Sequence, residues 1–382
     1  MKRIKELVTL GSGDLIGTSL SAIFWFFLAA QIKPDEYGQL QWFISIAGIL
    51  SSVALIANTS TLTVYVAKKI PIQSTLNVIS LLFSLILALI VIIFLPSFHI
   101  IDSGVLLIAY VINSLVVGDI LGKKHFRDHA ILTVVQKGLT CGLGFLFYYL
   151  FGYEAVIFAL IISYILHYKR LVSLFKEVKI DLKLLKQKKE FIFSNYLNSS
   201  ILVGTVGAGH IDKIIITPLL GYAVLGNYSL GMQIIAIMMI FTNIVYKFML
   251  SYDSTNSNLR NLKILVVLLS IFLALTGFFL GPIIIEIYFP NYADIKTAIE
   301  VMSLNIIPAT VGLIFQSKLL SQEKSRQVLI GTLASVVGLT IGMIILGPIL
   351  GMIGLAYSLI SSSIIKVIIF GIMVRNSHLR RI

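Results

Sequence analysis

Six ionisable residues interrupt apolar stretches long enough to cross a bilayer, and they are the best candidates for chemistry in this sequence. A charged side chain at the bilayer centre costs about 2.5–3.5 kcal/mol on insertion scales, so it normally faces a partner or a hydrated cavity. A lysine in such a cavity presents a point charge to a phosphate or pyrophosphate. The pattern predicts a site for an anionic head group, formed by Lys137, Lys366, Lys247 and Lys318.

The two acidic members of the set, Asp14 and Asp119, are predicted to pair with these lysines or to relay a proton or a sodium ion. At 1.5 Å per residue, Asp14 and Lys137 lie about 9 Å, and Lys366 about 12 Å, from the inner ends of their stretches. Interhelical ion pairs remain the alternative for these three residues. The other three residues lie within one turn of the inner ends of their stretches, where a side chain can reach the membrane–water interface. They are Asp119, Lys247 and Lys318.

A second polar cluster, His210, Asp212 and Lys213, falls at the predicted outer end of an apolar stretch. It is a candidate outer gate or a site of cation coupling. The alternative is a helix cap with an interface anchor. His210 has no neighbouring set of ligands at the spacing that zinc requires.

No constellation of residues indicates catalysis. The chain lacks a Walker-type phosphate loop, so ATP is not the expected energy source. No loop is large enough for the acidic motifs that a glycosyltransferase or ligase is expected to carry. Cys141 is the single cysteine, which excludes an intramolecular disulfide and a cysteine-rich metal site. We predict neither enzyme activity nor a metal site nor a bound cofactor, apart from a coupling proton or sodium ion.

The composition identifies the element that must position these residues. Of 382 residues, 58% are hydrophobic and 12% are charged, about half the charged fraction of a soluble domain. The mean hydropathy is +0.97. These values exclude a soluble globular protein and a disordered one. They predict an all-α polytopic membrane protein, in which roughly 20 apolar residues form each span.

Apolar stretches and their polar breaks predict about twelve transmembrane helices. The 30 Lys and Arg residues are distributed unevenly between the loops. Only Lys33, Lys213 and Lys296 fall in loops on the outer side when the N-terminus is placed inside. The positive-inside rule then predicts that both termini are cytoplasmic. Because loop charge explains the net charge of +13, binding of nucleic acid is not expected. The predicted spans are 8–31, 39–66, 74–95, 103–121, 131–150, 153–168, 191–211, 222–250, 262–285, 297–320, 327–347 and 350–374.

A basic stretch at 169–190 divides the chain into predicted six-helix lobes, 1–168 and 191–382. Leucines at helical spacing and lysines on the other faces predict an amphipathic cytoplasmic connector attracted to anionic lipid.

The two halves of the chain show signs of an internal repeat. The segments 32–40 and 220–228 are weakly similar. Because each half has an even number of spans, the repeats are predicted to be parallel.

Several motifs along the chain resemble polysaccharide and O-antigen (Wzx-type) flippases of the multidrug/oligosaccharidyl-lipid/polysaccharide (MOP) exporter superfamily. The resemblance covers nearly the whole chain, although Gln31 stands where family members often have Arg. It rests on the order and spacing of Gly11-Ser12-Gly13, Phe27-Leu28-Ala29-Ala30-Gln31-Ile32-Lys33-Pro34-Asp35-Glu36-Tyr37-Gly38, Ile211-Asp212-Lys213-Ile214-Ile215-Ile216, Gly226-Asn227-Tyr228-Ser229-Leu230, Tyr288-Phe289-Pro290-Asn291-Tyr292 and Leu346-Gly347-Pro348 with Gly351-Met352-Ile353-Gly354-Leu355-Ala356.

The resemblance implies two lobes around a cavity that opens alternately to each side of the membrane. It also implies a cargo, a polyprenyl-phosphate-linked oligosaccharide moved from the cytoplasmic to the outer leaflet of a prokaryotic cell membrane for surface polysaccharide synthesis. Glycosyltransferases or a polymerase of the same pathway are the expected protein partners. Two alternatives stay open, namely a cation-coupled exporter of drugs or metabolites from the same superfamily and a non-transport membrane factor of envelope glycan assembly.

Overall fold

A computed structural model gives the fold and describes residues 2–56, 59–94, 98–174, 180–202, 210–253, 260–322 and 324–379. These residues are almost entirely α-helical, and none of them forms a strand. The prediction of an all-α polytopic membrane protein is confirmed. The helices are α1 (Lys2–Gln31), α2 (Pro34–Ala54), α3 (Thr59–Ala67), α4 (Gln73–Phe94), α5 (Phe98–Gly122), α6 (Phe126–Phe151), α7 (Val156–Ser163), α8 (Ile165–Leu174), α9 (Leu182–Leu202), α10 (Ile211–Met238), α11 (Ile240–Asp253), α12 (Arg260–Tyr288), α13 (Ile295–Leu304), α14 (Ile306–Ser321) and α15 (Ser325–Leu379).

Nine helical segments of the described chain are long and apolar enough to cross a membrane. The last of them, Arg326–Arg375, has 50 residues, enough for two spans. The number of twelve spans and the cytoplasmic position of both termini stay predictions. Four predicted spans each contain a break between two helices, namely 39–66, 153–168, 222–250 and 297–320. Hydropathy does not detect these breaks because each is only a few residues long and lies within an apolar stretch.

The helix α12 shows how these elements pack in a membrane. Its buried stripe is made largely of small residues, including Ser270, Ala274 and Gly277. Phe272 and Phe279, on the opposite face, are each 65% exposed. A helix with small residues inside and large apolar residues outside is typical of packing against protein on one side and lipid on the other. At Gly277 an added Cβ would overlap Ser303 of α13, so the close contact between these helices requires glycine.

Three glycines with positive φ mark tight turns between helices. Gly152 (φ 86°) follows α6, Gly221 (φ 83°) divides α10, and Gly351 (φ 59°) divides α15. A residue with a side chain rarely adopts this backbone conformation, so glycine is the residue that allows the helix to be interrupted there. The divided helices α10 and α15 are each two helices joined at a single glycine.

The chain forms two compact units. Unit 1 contains Met1–Phe27 and Trp42–Ile211, and unit 2 contains Leu28–Gln41 and Asp212–Ile382. These limits differ from the predicted lobes, 1–168 and 191–382, because the segment Leu28–Gln41 packs with the second half of the chain. The division of six helices to each lobe stays a prediction.

The predicted amphipathic connector, 169–190, is not one continuous helix. Its two ends belong to α8 and α9, and the backbone at 180 and 181 is not helical. Asp181 instead begins α9, where its carboxylate accepts a hydrogen bond of 2.9 Å from the amide of Leu184. This is a helix N-cap, which satisfies an amide that the first turn leaves without a helical partner.

Candidate functional site

The site in unit 2 is built on a close crossing of α2 and α10. A Cβ added to Gly38 would overlap the Tyr222 carbonyl, and one added to Gly226 would overlap the Pro34 carbonyl. The contact is reciprocal: each glycine packs on the residue four positions before the other glycine. Parallel repeats related by a two-fold axis make contacts of this kind. The weak similarity of 32–40 and 220–228 therefore has a structural counterpart in this crossing.

A buried polar cluster includes one residue that follows each glycine, Gln41 after Gly38 and Tyr228 after Gly226. The Lys213 ammonium donates a hydrogen bond of 2.8 Å to Gln41 Oε1. The Tyr228 hydroxyl donates one of 2.7 Å to Asp212 Oδ2, and the Lys213 amide donates one of 2.9 Å to Asp212 Oδ1. All four side chains are buried. We name Gln41, Asp212, Lys213 and Tyr228 the polar cluster.

The geometry of the polar cluster follows from local helix structure. Asp212 lies in the first turn of α10, where the helix dipole stabilises a negative charge. Gln41 lies three residues after Gly38 on α2, so it projects from nearly the same face of that helix. The Asp212 carboxylate and the Lys213 ammonium are hydrogen-bonded to neutral groups, so each can bind and release an ion of opposite charge. This arrangement could take part in exchange of a cation.

Two tyrosines pack at the same end of unit 2. The rings of Tyr37 and Tyr292 lie edge to face at 6.2 Å between centroids. The Tyr292 hydroxyl donates a hydrogen bond of 3.3 Å to the Ile32 carbonyl. Burial raises the pKa of Tyr292 above its ordinary value, and the nearby Tyr37 and Glu36 raise it further. The phenol therefore stays protonated and remains a donor.

The three residues of the predicted outer gate are distributed over both units. Asp212 and Lys213 belong to the polar cluster of unit 2. His210 belongs to unit 1, where its Nδ1 lies 3.3 Å from Ser45 Oγ and its ring packs against Gly48. Asp212 and Lys213 are buried at the start of a helix. The sequence instead predicts that the preceding span runs to residue 211 and that these two residues follow its outer end. Their gating role stays a prediction.

In unit 1, Lys137 is half-buried on α6. Its side chain packs against Gly17 of α1, where an added Cβ would lie 3.3 Å from Lys137 Cγ. The preceding residue, Gln136, is buried and donates hydrogen bonds of 3.1 Å to Thr140 Oγ1 and to Ser163 Oγ. Among the described residues, no carboxylate oxygen lies within salt-bridge distance of Lys137. This lysine is thus a half-buried cation within a span, beside a buried polar network.

In unit 2, Lys366 is half-buried on α15. Its ammonium lies 5.6 Å from the ring centroid of Phe370, one turn further along the helix. Its stem approaches Gly312 of α14, where an added Cβ would be 3.8 Å from Lys366 Cδ. Within the described part of the chain, Lys366 has an aromatic face and no carboxylate as a neighbour. A cation–π contact of this kind stabilises a charge without neutralising it.

The other predicted residues are placed as follows. Asp119 is fully buried on α5, where its Oδ1 is 2.7 Å from Lys123 Nζ and accepts a hydrogen bond of 2.9 Å from Gln73 Nε2. Asp14 is half-buried on α1, and Lys318 is half-buried in the last turn of α14. Lys247 lies on α11, and its side chain is outside the described residues.

Sequence reasoning missed Gln41 and Tyr228. Gln41 lies 172 residues from Lys213 in the sequence, so no spacing rule connects them. The available signal was the pair of matching glycines, Gly38 and Gly226, because a reciprocal crossing there brings the following turns together. Among the described residues, no group of three His, Cys, Asp or Glu side chains could hold a metal ion.

Comparisons with solved structures identify the fold. An inward-facing multidrug resistance MATE family transporter of the MOP superfamily matches with a TM-score of 0.71 at 14% identity, over 96% of this chain and 95% of that one. An outward-facing structure of such a transporter matches with a TM-score of 0.64 at 14% identity, over 98% of this chain and 95% of that one. A MOP superfamily transporter from Pyrococcus furiosus matches with the same TM-score, identity and coverage. The chain therefore has the fold of MOP superfamily transporters.

No protein-family model matches the sequence. No curated protein matches it either. At 14% identity, the solved structures show the likeness of the fold alone.

Proposed function

We propose that this protein is a membrane transporter that works by alternating access, and that its cargo carries a phosphate group. The candidate cargo is a polyprenyl-phosphate-linked oligosaccharide moved to the outer leaflet, as in the Wzx-type flippases that the sequence resembles. The fold supports transport, because solved structures of this fold are described in both inward-facing and outward-facing conformations.

The observation that carries the cargo proposal is the environment of two lysines. Lys137 and Lys366 are half-buried within long apolar helices. Among the described residues, neither has a carboxylate within salt-bridge distance. An unneutralised cation within a span is costly unless a ligand or water compensates it. A phosphate is the partner that a lysine point charge suits.

The test uses proteoliposomes that contain a fluorescent polyprenyl-pyrophosphate disaccharide. An impermeant quencher reports how much of the lipid moves between leaflets. We expect flipping that depends on the protein, with Lys137→Gln and Lys366→Gln each lowering the initial rate roughly tenfold, because a hydrogen bond to a charged group contributes about 1.5–3 kcal/mol. Lys33→Gln is the matched control, because Lys33 is an exposed lysine outside the apolar helices, and it should retain the wild-type rate. Full rates in both test variants, at equal folded yield, would overturn the assignment.

A second candidate function is export of drugs or metabolites coupled to a proton or sodium gradient. Neighbours described as multidrug resistance MATE family transporters favour it. The Pyrococcus furiosus neighbour is described as having a binding pocket of reverse polarity that suggests a different function. Pockets of different polarity are therefore compatible with this fold, and the lysines of this chain favour an anion over a cationic drug.

The same proteoliposomes separate the two candidates. Uptake of a cationic dye that depends on an ion gradient, without movement of the lipid-linked sugar, would establish the exporter and reject the flippase. Asp212→Asn is the informative variant in that case, since Asp212 is the buried carboxylate of the polar cluster. Loss of gradient dependence in this variant is expected if the polar cluster exchanges the coupling cation.

A further inference from the structure

A cavity of about 710 Å³ lies in unit 1, and neither Lys137 nor Lys366 lines it. Two turns that end helices form its walls: the turn after α3 and the turn after α5. Val66, Ile70 and Pro71 contribute an apolar rim. We name the cavity the basic cavity, defined by its polar lining residues Lys69, Gln73, Ser74, Lys123, Lys124 and His125.

Both turns hold a lysine in a conformation that favours glycine. Lys69 has φ 55° and Lys124 has φ 60°. Each occupies the C′ position of a Schellman motif. In the first turn, the amides of Lys69 and Ile70 donate hydrogen bonds of 3.0 Å to the carbonyls of Val66 and Tyr65. Glycine is the usual residue at this position, so the two lysines have no conformational advantage there.

The second turn repeats the first. The amides of Lys124 and His125 donate hydrogen bonds of 3.0 Å to the carbonyls of Leu121 and Ile120. Glycines of α5 bring the two turns together: an added Cβ on Gly122 would lie close to Val66 of α3. Lys69 and Lys124, the two lysines with a left-handed (αL) backbone, therefore lie on the wall of one cavity.

The charge of the basic cavity is not balanced by the acidic residues near it. Asp119 is engaged by Lys123 at 2.7 Å and by Gln73 at 2.9 Å. His125 Nδ1 lies 3.6 Å from Asp128. Lys69 and Lys124 have no carboxylate within salt-bridge distance among the described residues. Two exposed ammonium groups thus remain available to a ligand in the cavity.

Two further features suit an anion that is attached to an apolar chain. The helix α4 begins at Gln73, so amide groups at its N-terminus, whose dipole favours anions, border the cavity. The apolar rim adjoins a helix long and apolar enough to cross the membrane, Gln73–Ile93. Basic pockets at the ends of membrane helices are suited to anionic lipid head groups.

We propose that the basic cavity is a binding site for a phosphate group, and that its ligand is the head group of an anionic membrane phospholipid. Lys69 and Lys124 bind the phosphate oxygens from two sides. The apolar rim contacts the first carbons of the lipid. This site is separate from the proposed cargo contacts, and its existence does not depend on what the protein transports.

The test compares binding of phosphatidylglycerol and phosphatidylcholine to the purified full-length protein. Lipid retained by the protein is counted by native mass spectrometry, and the rise in melting temperature with added lipid is measured in parallel. The test variant is Lys69→Gly with Lys124→Gly. Because glycine is favoured at both αL positions, this variant should fold at least as well as the wild type. Its loss of binding cannot then be attributed to unfolding.

The control variant is Lys68→Gln with Lys188→Gln, which removes the same number of charges from exposed lysines that do not line the cavity. We expect the apparent affinity for phosphatidylglycerol to fall roughly 25-fold in the test variant and to change little in the control, since each of the two basic residues near an anionic surface contributes about a factor of five. An equal loss of affinity in both variants, or no loss of affinity in the test variant, would overturn the proposed site.

The last arm of the test measures whether soluble glycerol phosphate or inorganic phosphate competes with phosphatidylglycerol for the protein. If the ligand is a lipid, neither competes with phosphatidylglycerol at equal phosphate concentration. Competition by both, lost in the test variant, would keep the phosphate site and reject the lipid as its source.

Discussion

Tyr228 is fully buried in unit 2, and its hydroxyl donates a hydrogen bond of 2.7 Å to Asp212. At the scale of the residue, this bond predicts a measurable contribution to stability. Tyr228→Phe removes the donor and leaves the Asp212 carboxylate with one partner fewer. We expect the change to destabilise the protein by about 1.5–3 kcal/mol, the range for hydrogen bonds to charged groups. Thermal unfolding of the purified protein in detergent measures it.

The matched control is Tyr357→Phe, the same change at a residue that is 47% exposed. It should alter the melting temperature little, because surface substitutions usually stay within about 0.5 kcal/mol. Equal shifts in the two variants would mean that the hydroxyl of Tyr228 contributes no more than that of a lipid-facing or solvent-facing tyrosine.

At the scale of the element, the glycine turns predict which helix connections are intolerant of a side chain. Gly221 has φ 83° and ψ 175°, and nothing lies within 4 Å of an added Cβ. Gly221→Ala therefore tests the backbone conformation by itself. We expect destabilisation of about 1–3 kcal/mol, because this region of φ/ψ space is accessible essentially to glycine alone. The melting temperature of the purified protein reports the change.

Gly138 provides the comparison for this variant. It lies within α6, and an added Cβ there also has no atom within 4 Å. Gly138→Ala should be neutral or stabilising by roughly 0.5–1 kcal/mol, since alanine is the better helix former. We therefore expect Gly221→Ala to lower the free energy of unfolding and Gly138→Ala to leave it unchanged or raise it. A neutral Gly221→Ala would show that the turn can adopt another conformation.

The elements also show what the sequence can and cannot predict. Hydropathy identifies the long apolar segments, and it correctly predicts an all-α membrane fold, because the bilayer imposes that pattern locally. It does not detect the break between α2 and α3, since Leu55 and Ile56 continue the apolar run past the end of α2. The placement of Lys137 inside a long apolar helix follows from the sequence of that helix alone. The bond between Gln41 and Lys213 does not, because tertiary packing creates it.

At the scale of the whole molecule, the remaining expectation is orientation, and α6 tests it directly. With 26 residues, this helix is about 39 Å long, enough to separate its ends across a bilayer. The turn that contains Lys124 precedes it, and the turn at Gly152 follows it. The positive-inside rule places the lysine-bearing turn in the cytoplasm. Because Cys141 is the single cysteine, replacing it by Ser gives a cysteine-free background for labelling.

Two exposed positions on either side of α6 then report the orientation, Lys124→Cys and Glu154→Cys. An impermeant maleimide added to intact cells should label Glu154→Cys and should reach Lys124→Cys only after the membrane is permeabilised. Ala223→Cys, beside the turn at Gly221, should behave like Glu154→Cys, because both turns are predicted to face outward. The reverse pattern would mean that the chain is inserted with the opposite orientation. Labelling of Lys124→Cys and Glu154→Cys from the same side would mean that α6 does not cross the membrane, and the assignment of spans on both sides of it would then have to change.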